Sequence, residues 1–357
     1  MSDATARRIV IAGGGTGGHL FPGLAVAEVL RHRGCAVTFV GTANGIEVRA
    51  VPAAGFPLEL VTGQQLRGGG VGRAVQGGVA AMAGVRQSLG LLRRLDPALV
   101  IGVGGYASVS MVIAAWLRRR PTILLEQNTI PGFASRLLGR IVGRVCLGFA
   151  EAAPYFPAGR TMHTGNPIRA AVLGMGAALP RPRLGILIFG GSQGAQRINQ
   201  AAVEMWRRLG SRAPTLAIVH QTGVSDHPAM VDAYAALGLT ARVEPFITDM
   251  GAAYGATDLV IARAGAMSCA EITARGLPSI LVPYPHAADD HQRHNANALV
   301  AQGAATLLLD ADCDGPRLAV AVSALLDDPE RRAKMAAAAT AAGRPDAADR
   351  VAQLCLA

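Results

Sequence analysis

Short apolar runs rich in β-branched residues alternate along the chain with longer Ala/Leu-rich stretches. The runs fall at residues 8–12, 37–40, 99–103, 122–125, 184–189, 216–220, 259–262 and 279–282. They are continuous rather than alternating, which is the pattern of strands buried on both faces, and the stretches between them read as helices. Strands and helices in alternation predict an α/β fold with parallel sheets covered on both sides. The alternation breaks once. Between Asn166-Pro167-Ile168-Arg169 and Leu179-Pro180-Arg181-Pro182-Arg183 the chain has no strand period and carries three prolines. Strand-loop-helix order resumes at Leu184. Two domains joined by a linker are therefore expected, each with enough of the 357 residues for its own core.

Each domain opens with a strand that enters a glycine turn and then a helix. The first turn is Gly13-Gly14-Gly15-Thr16-Gly17-Gly18-His19, and the second is Gly190-Gly191-Ser192-Gln193-Gly194-Ala195. Such turns let backbone N–H groups approach an anion, and the following helix start adds about half a positive charge. Gly13, Gly15 and Gly18 satisfy G-x-G-x-x-G, yet a dinucleotide site also wants an acid at the end of the second strand, which reads Val40-Gly41-Thr42. Neither turn has the Gly-Lys-Ser/Thr of a triphosphate-binding loop.

A third turn, Ala262-Arg263-Ala264-Gly265-Ala266-Met267-Ser268-Cys269-Ala270-Glu271, is denser in chemistry. A helix starting near Ala266 would face its free N–H groups to a phosphate and set Glu271 just over one turn in. There a carboxylate can accept both hydroxyls of a ribose, or simply stabilise the helix start. Three histidines follow within nine residues, His286, His291 and His294, without zincin spacing, so a sugar-binding or solvated loop is expected rather than a metal site. Asp310-Ala311-Asp312 is expected in a surface turn.

Composition adds a polarity to this plan. An apolar fraction of 51% with 16% charged residues excludes a disordered chain. The net charge of +10 is lopsided: 18 basic and 7 acidic residues precede Gly176, against 16 and 17 from there on. A basic first half suggests an anionic partner, namely nucleic acid, anionic lipid or a phosphorylated substrate. Five scattered cysteines without a C-x-x-C pair fit a reducing compartment. Residues 97–117 are uncharged and precede Arg118-Arg119-Arg120, but the central Gly102-Val103-Gly104-Gly105 reads as strand, loop and helix rather than a membrane span. Val71, Val75, Val79, Met82, Leu89 and Leu92 recur at helical steps, flanked by Arg67, Arg73, Arg86, Arg93 and Arg94. That face suits packing on a sheet or lying on an anionic membrane.

Taken together, the motifs resemble the MurG family of bacterial glycosyltransferases over nearly the whole chain. The resemblance rests on Gly14-Gly15-Thr16-Gly17-Gly18-His19 with Phe21-Pro22-Gly23, Gly104-Gly105-Tyr106, Glu126-Gln127-Asn128 and Thr164-Gly165-Asn166-Pro167-Ile168-Arg169. In the second half it rests on Gly190 to Ala195, Arg263-x-Gly265-Ala266, Glu271, and Asp290-His291-Gln292 with Asn295-Ala296. It implies a GT-B architecture, two Rossmann-like domains with parallel sheets facing a cleft, the final helix from about Glu330 returning to the first domain. The implied domains are 1–165 for the acceptor and the membrane, a linker at 166–183, 184–340 for UDP-GlcNAc, and a returning helix within 341–357.

The implied activity is an inverting, cofactor-free and metal-independent hexosyl transfer, from UDP-GlcNAc to the C4 hydroxyl of undecaprenyl-diphospho-MurNAc-pentapeptide. Its setting would be peptidoglycan synthesis at the cytoplasmic face of the inner membrane, peripheral to it. An anionic lipid surface and other cell-wall synthesis or division proteins would be partners, and nucleic acid would not. By the same likeness Ile247 borders the uracil and Glu271 the ribose. Ser192, Ala266, Met267, Ser268, Cys269 and Ala270 surround the diphosphate, and Gln292 meets the sugar. Thr16, Gly17, Gly18 and Asn128 reach the GlcNAc, Tyr106 is a further substrate-binding position, and Arg169 at the hinge completes the nucleotide site.

The transfer needs a base for the acceptor hydroxyl, stabilisation of the leaving UDP and exclusion of water. His19 is the candidate base, because an imidazole titrates near working pH, and Glu126 is the rival. Two departures from the family stand out. Leu125 occupies the place where many relatives have His before Glu-Gln-Asn, so no acid–base role carries over there. The donor turn reads Ala-Met-Ser where Ala-Leu-Thr is commoner, and Ser268 keeps the hydroxyl. The rival functions are transfer to a diacylglycerol or sterol, a nicotinamide oxidoreductase, and a non-catalytic membrane-peripheral protein.

Overall fold

The computed structural model describes residues 6–62, 71–174, 183–191 and 194–357, with 71–81 described as backbone. The chain divides into two units. One is Met1–Arg169 with Asp346–Ala357, and the other is Ala170–Pro345.

Seven parallel strands form the sheet of the first unit: β1 (Arg8–Gly13), β2 (Ala36–Gly41), β3 (Leu58–Leu60), β4 (Leu99–Gly104), β5 (Thr122–Glu126), β6 (Arg144–Leu147) and β7 (Thr161–His163). Their spatial order is β3-β2-β1-β4-β5-β6-β7. The sheet therefore grows outward from β1 in both directions, and the order reverses between β1 and β4. Because Ile9 pairs with both Val37 and Leu99, the apolar runs lie in register as well as in order. Alternate residues of β1 serve opposite faces. Ile9 and Ile11 pack with Leu20, Leu24 and Leu30 of the helix Gly17–His32. Val10 and Ala12 pack with Met111, Ala114 and Ala115 of the helix Tyr106–Leu117.

The last helix, Ala347–Leu356, joins the first of these cores through Val351, Ala352 and Cys355. Arg33 meets Asp349 at 2.7 Å, and the Arg7 guanidinium donates to the Leu356 carbonyl at 2.7 Å. The preceding helix, Pro329–Ala342, stays with the second unit, where Met335 and Ala339 are buried. The return thus begins at Asp346 rather than near Glu330.

The helix Val71–Leu95 spans the amphipathic stretch. Leu92 is buried and Leu89 packs beside it, while Met82 is 68% exposed. The C-terminal part of the apolar face therefore packs on the sheet and Met82 does not; the side chains of residues 71–81, and residues 66–70 altogether, lie outside the described residues. Residues 99–117 form β4 and the twelve-residue helix Tyr106–Leu117, and no helix among the described residues is long and apolar enough to cross a membrane.

Six parallel strands build the second unit: β8 (Gly185–Phe189), β9 (Ala217–Gln221), β10 (Ala241–Glu244), β11 (Leu259–Ala262), β12 (Ser279–Leu281) and β13 (Ala305–Leu307). The order is β10-β9-β8-β11-β12-β13, with its reversal between β8 and β11. A directional polar chain runs inside this core. The Trp206 indole donates to the Tyr234 hydroxyl at 2.8 Å, so that hydroxyl donates onward to His220 Nδ1 at 2.9 Å. His220 Nε2 donates to Asn199 Oδ1 at 3.0 Å, and Asn199 Nδ2 donates to the Thr222 carbonyl and to Asp226. Burial pushes the His220 pKa down to about 3. The imidazole is neutral in the folded unit, as this pattern of donors requires.

Candidate active site

In open α/β sheets, ligands bind beyond the carboxyl ends of the strands where the order reverses. The first glycine turn follows β1, and Gly104-Gly105-Tyr106 follows the adjoining β4. The two segments approach each other closely at the backbone. The Gly14 N–H donates to the Gly104 carbonyl at 3.2 Å. A Cβ on Gly13 would lie 2.3 Å from that same carbonyl oxygen, and one on Gly105 would lie 2.7 Å from the Gly14 oxygen. Gly104, at φ +107, also leaves room for the His19 ring, whose Nδ1 would stand 2.4 Å from a Cβ there. Thr16 is the extended N-cap (φ −131, ψ 160) of the helix that begins at Gly17. Thr16 and Gly18 are exposed and Gly17 is half-buried, so first-turn N–H groups without intrahelical acceptors lie at the surface.

His19 is half-buried, and its Nδ1 lies 3.2 Å from Gln127 Oε1. The neighbouring contacts fix which atom carries the proton. Gln127 Nε2 donates to the Val103 and Leu125 carbonyls at 3.1 and 3.3 Å, so Oε1 is the amide atom facing the imidazole. An amide oxygen only accepts, and Nδ1 is therefore the protonated nitrogen of neutral His19. Nε2 keeps the lone pair. The Gln127 carbonyl in turn accepts from Asn166 Nδ2 at 2.9 Å, which ties the Thr164–Arg169 motif to the same place.

Glu126 is buried at 3% exposure and accepts the Asn128 N–H at 3.0 Å. Asn128 and Tyr106 are half-buried beside these loops. The Arg169 guanidinium stacks over Phe21, 4.2 Å from the ring centroid, which explains the use of an aromatic in Phe21-Pro22-Gly23. His19, Glu126, Gln127 and Asn166 are thus brought together from three separate motifs.

In the second unit the turn after β11 lies next to the turn after β8. The helix Ala266–Ala274 starts where expected, with Gly265 as N-cap, so the amides of Ala266, Met267 and Ser268 are the first-turn donors. Met267, Ser268 and Ala270 are half-buried; Ala266 and Cys269 are buried. Burial pushes the Cys269 thiol up to about 12, so the side chain is a neutral thiol packed under the turn. Glu271 Oε2 accepts from the Tyr254 hydroxyl at 3.0 Å, a partner that the sequence did not reveal.

Ile247 lies in the segment after β10. Its side chain is buried at 1% exposure while the preceding Phe246 is half exposed, and its N–H donates to Gln221 Oε1 at 2.9 Å. The other end of the Gln221 amide donates to the Gly191 carbonyl at 2.7 Å. One buried glutamine therefore spaces the second glycine turn from the Ile247 segment. Gln292 Oε1 accepts the Tyr284 N–H at 3.0 Å, and Asn295 Nδ2 donates to the Ala264 carbonyl at 3.2 Å. Ser192, with Gln193, lies outside the described residues.

Asp310 is not simply a surface-turn residue. It is paired with Arg263, which also donates to the Val282 and Pro283 carbonyls and so ties the donor turn to the loop after β12. Gln127, Glu47 and Gln221 went unassigned in the sequence. Gln127 sits inside the Glu-Gln-Asn motif, but for Glu47 and Gln221 no local pattern separates a structural polar residue from a surface one.

Glycine turns and helix starts at two sheet reversals are the arrangement with which α/β folds hold phosphorylated and nucleotide-linked ligands. The family models agree: the glycosyltransferase family 28 N-terminal domain matches residues 9–147 and the C-terminal domain residues 185–351. The chain belongs to glycosyltransferase family 28, in its MurG branch. Among its relatives is the UDP-N-acetylglucosamine--N-acetylmuramyl-(pentapeptide) pyrophosphoryl-undecaprenol N-acetylglucosamine transferase of an Anaeromyxobacter species, 46% identical over 98% of this chain and 92% of the relative. The transferase of the same name from Myxococcus xanthus is 45% identical over 98% and 92%. The crystal structure of Acinetobacter baumannii MurG superposes with a TM-score of 0.80 at 30% identity, covering 98% of both chains. Two Rossmann-like units with parallel sheets are accordingly a GT-B fold.

Proposed function

We propose that the chain transfers N-acetylglucosamine from UDP-N-acetylglucosamine to the C4 hydroxyl of the muramoyl sugar in undecaprenyl-diphospho-MurNAc-pentapeptide. This is the step from lipid I to lipid II of peptidoglycan synthesis. The substrates follow from the names of full-length relatives. The observation that carries the chemistry is the His19–Gln127 pair, which keeps a lone pair on Nε2 at the mouth of the first glycine turn.

In a single displacement the acceptor oxygen bonds to the anomeric carbon as the bond from that carbon to the UDP oxygen breaks, which inverts the configuration. The hydroxyl proton passes to His19 Nε2, and Gln127 Oε1 holds Nδ1–H while the ring becomes cationic. His19 serves here better than Glu126, because Glu126 is buried and its carboxylate already accepts the Asn128 N–H. Negative charge growing on UDP is met by the amides of Ala266, Met267 and Ser268 at the helix start, a kind of donor worth about 3 kcal/mol when well placed. Glu271, steadied by Tyr254, takes the ribose hydroxyls; Gln292 orients the sugar; Ser192 and Arg169 serve the nucleotide. Thr16, Gly17, Gly18 and Asn128 reach the transferred GlcNAc, and Tyr106 is a further substrate contact. Ile247 borders the uracil site.

The domain roles follow: acceptor and membrane for the first unit, donor for the second. The first unit carries the basic excess, and Met82, Trp116 and Leu117 are exposed on it, as are Arg86, Arg118 and Arg119. This surface rests peripherally on the anionic cytoplasmic face of the inner membrane, where the lipid-linked acceptor is presented. The protein thereby serves cell-wall biogenesis, cell shape and division. The test is UDP release from UDP-N-acetylglucosamine with the lipid-linked muramoyl pentapeptide as acceptor, and diacylglycerol as control, in wild type, His19→Ala and Glu271→Ala. Release with the muramoyl lipid that fails in both variants is expected; full activity in both would overturn the site.

A further inference from the structure

The end of β2 lacks an acid in the sequence, yet the structure puts a carboxylate there. Glu47 begins the short helix Glu47–Ala53, and its carboxyl lies beneath the first glycine turn at 1% exposure. Oε2 accepts the Gly15 N–H at 2.7 Å; Oε1 accepts the Thr42 N–H at 2.9 Å and the Thr42 hydroxyl at 3.0 Å. All three donors are neutral, and no cationic side chain pairs with Glu47 among the described residues. Three glycines give the group its room. A Cβ on Gly14 or Gly45 would lie 2.4 or 2.0 Å from Oε2, and one on Gly41 2.5 Å from the side-chain stem.

A buried charge held by neutral donors is a demanding arrangement to maintain, and its strongest bond goes to the loop that leads to Thr16, Gly17, Gly18 and His19. We propose that Glu47 is a positioning residue of the transfer reaction. It fixes the first glycine turn against the end of β2, and with it the substrate-facing start of the helix Gly17–His32. One consequence is chemical. The Gly15 N–H belongs to the protein's own carboxylate, so the donors this turn offers to a substrate begin at Thr16. A second is electrostatic: a negative charge directly under the turn opposes an anion on top of it. The turn is therefore fitted to neutral sugar hydroxyls rather than to a dinucleotide's diphosphate, despite its G-x-G-x-x-G spacing.

The inference rests on the transfer activity proposed above, and its test separates the two. Wild type that forms no product ends the activity; active wild type with an equally active variant ends only the role of Glu47. In Glu47→Gln the shape stays, but an NH2 now faces either Gly15 N–H or the Thr42 donors. Expected are a fall in kcat of about tenfold or more and a smaller rise, of about two- to threefold, in KM for UDP-N-acetylglucosamine, since only the sugar end of the donor meets this turn. Hydrogen exchange of the peptide covering residues 13–19 speeds up while the β4 and β5 peptides keep their protection. Thr42→Val, which removes one of the three bonds, stays within about threefold of wild type. A folded Glu47→Gln with wild-type kcat, or a loss of kcat without faster exchange at 13–19, overturns the proposal. Should Glu47→Gln not fold, Gly45→Ala decides: it keeps the carboxylate and displaces it, so the same kcat loss and local exchange support the role, and wild-type behaviour refutes it.

Discussion

Replacing Gln127 by Leu tests the proton-transfer reasoning most directly. The amide holds His19 in one tautomer with a 3.2 Å contact and anchors itself on two backbone carbonyls. Without it the two neutral tautomers of the ring become comparable, and about half the molecules present Nε2–H, which cannot accept the acceptor's proton. The larger effect is on the cation. As His19 takes the proton, the bond from Nδ1–H to Gln127 changes from a neutral to a charge-assisted hydrogen bond, a gain of about 1 kcal/mol. Together these give a loss of about tenfold in kcat, with donor KM unchanged.

Stability falls too, by about 1–3 kcal/mol for the carbonyls left without their donor, so rates are to be read well below the melting temperature. Product formation with lipid-linked acceptor is the assay, in Gln127→Leu, His19→Ala and the double variant. If Gln127 acts through His19, the double variant is no slower than His19→Ala by more than about twofold. Two multiplicative losses, or a folded Gln127→Leu as fast as wild type, would refute the role.

Three other outcomes are expected. Tyr254→Phe frees Glu271 from its 3.0 Å partner and raises the donor KM several-fold, by about 1 kcal/mol of binding, with kcat little changed in steady-state assays. His220 has a folded pKa of about 3 against an ordinary 6.5, so the unfolded chain binds the extra proton between those values. Stability of the second unit is full above pH 6.5 and falls below it, by about 2 kcal/mol at pH 5, and denaturant titrations of His220→Gln should show a shallower pH slope. Binding to liposomes should rise with anionic lipid and fall with salt; equal binding to neutral vesicles would remove the electrostatic part of the membrane reading.

How much could be read in the sequence varied with the kind of residue. The strands at 8–12 and 99–103 were legible because a buried parallel strand is a continuous apolar run, and β1 and β4 exceed them by one residue each. The glycine turns and the helix start at Ala266 were legible because backbone donors at a turn need a local sequence. Shorter strands such as Leu58–Leu60 and Thr161–His163 have three residues each and stand at the sheet edges, where little apolar length is required. The D-x-D segment lies in a short turn as expected, but the pairing of Asp310 with Arg263, 47 positions away, leaves no local trace.

By itself the sequence determined the fold class, the two glycine turns, the donor helix and the basic first half, all of which are properties of neighbouring residues or of composition. Only the tertiary structure decided that Gln127 sets the tautomer of His19, that Glu47 supplies a carboxylate under the first turn, and that Gln221 spans Gly191 and Ile247. In each of these a short polar side chain is buried and must find its donors or acceptors on segments far along the chain. Apolar periodicity is written locally because burial needs only a face; hydrogen-bond partners are written in three dimensions because they need a direction and a distance.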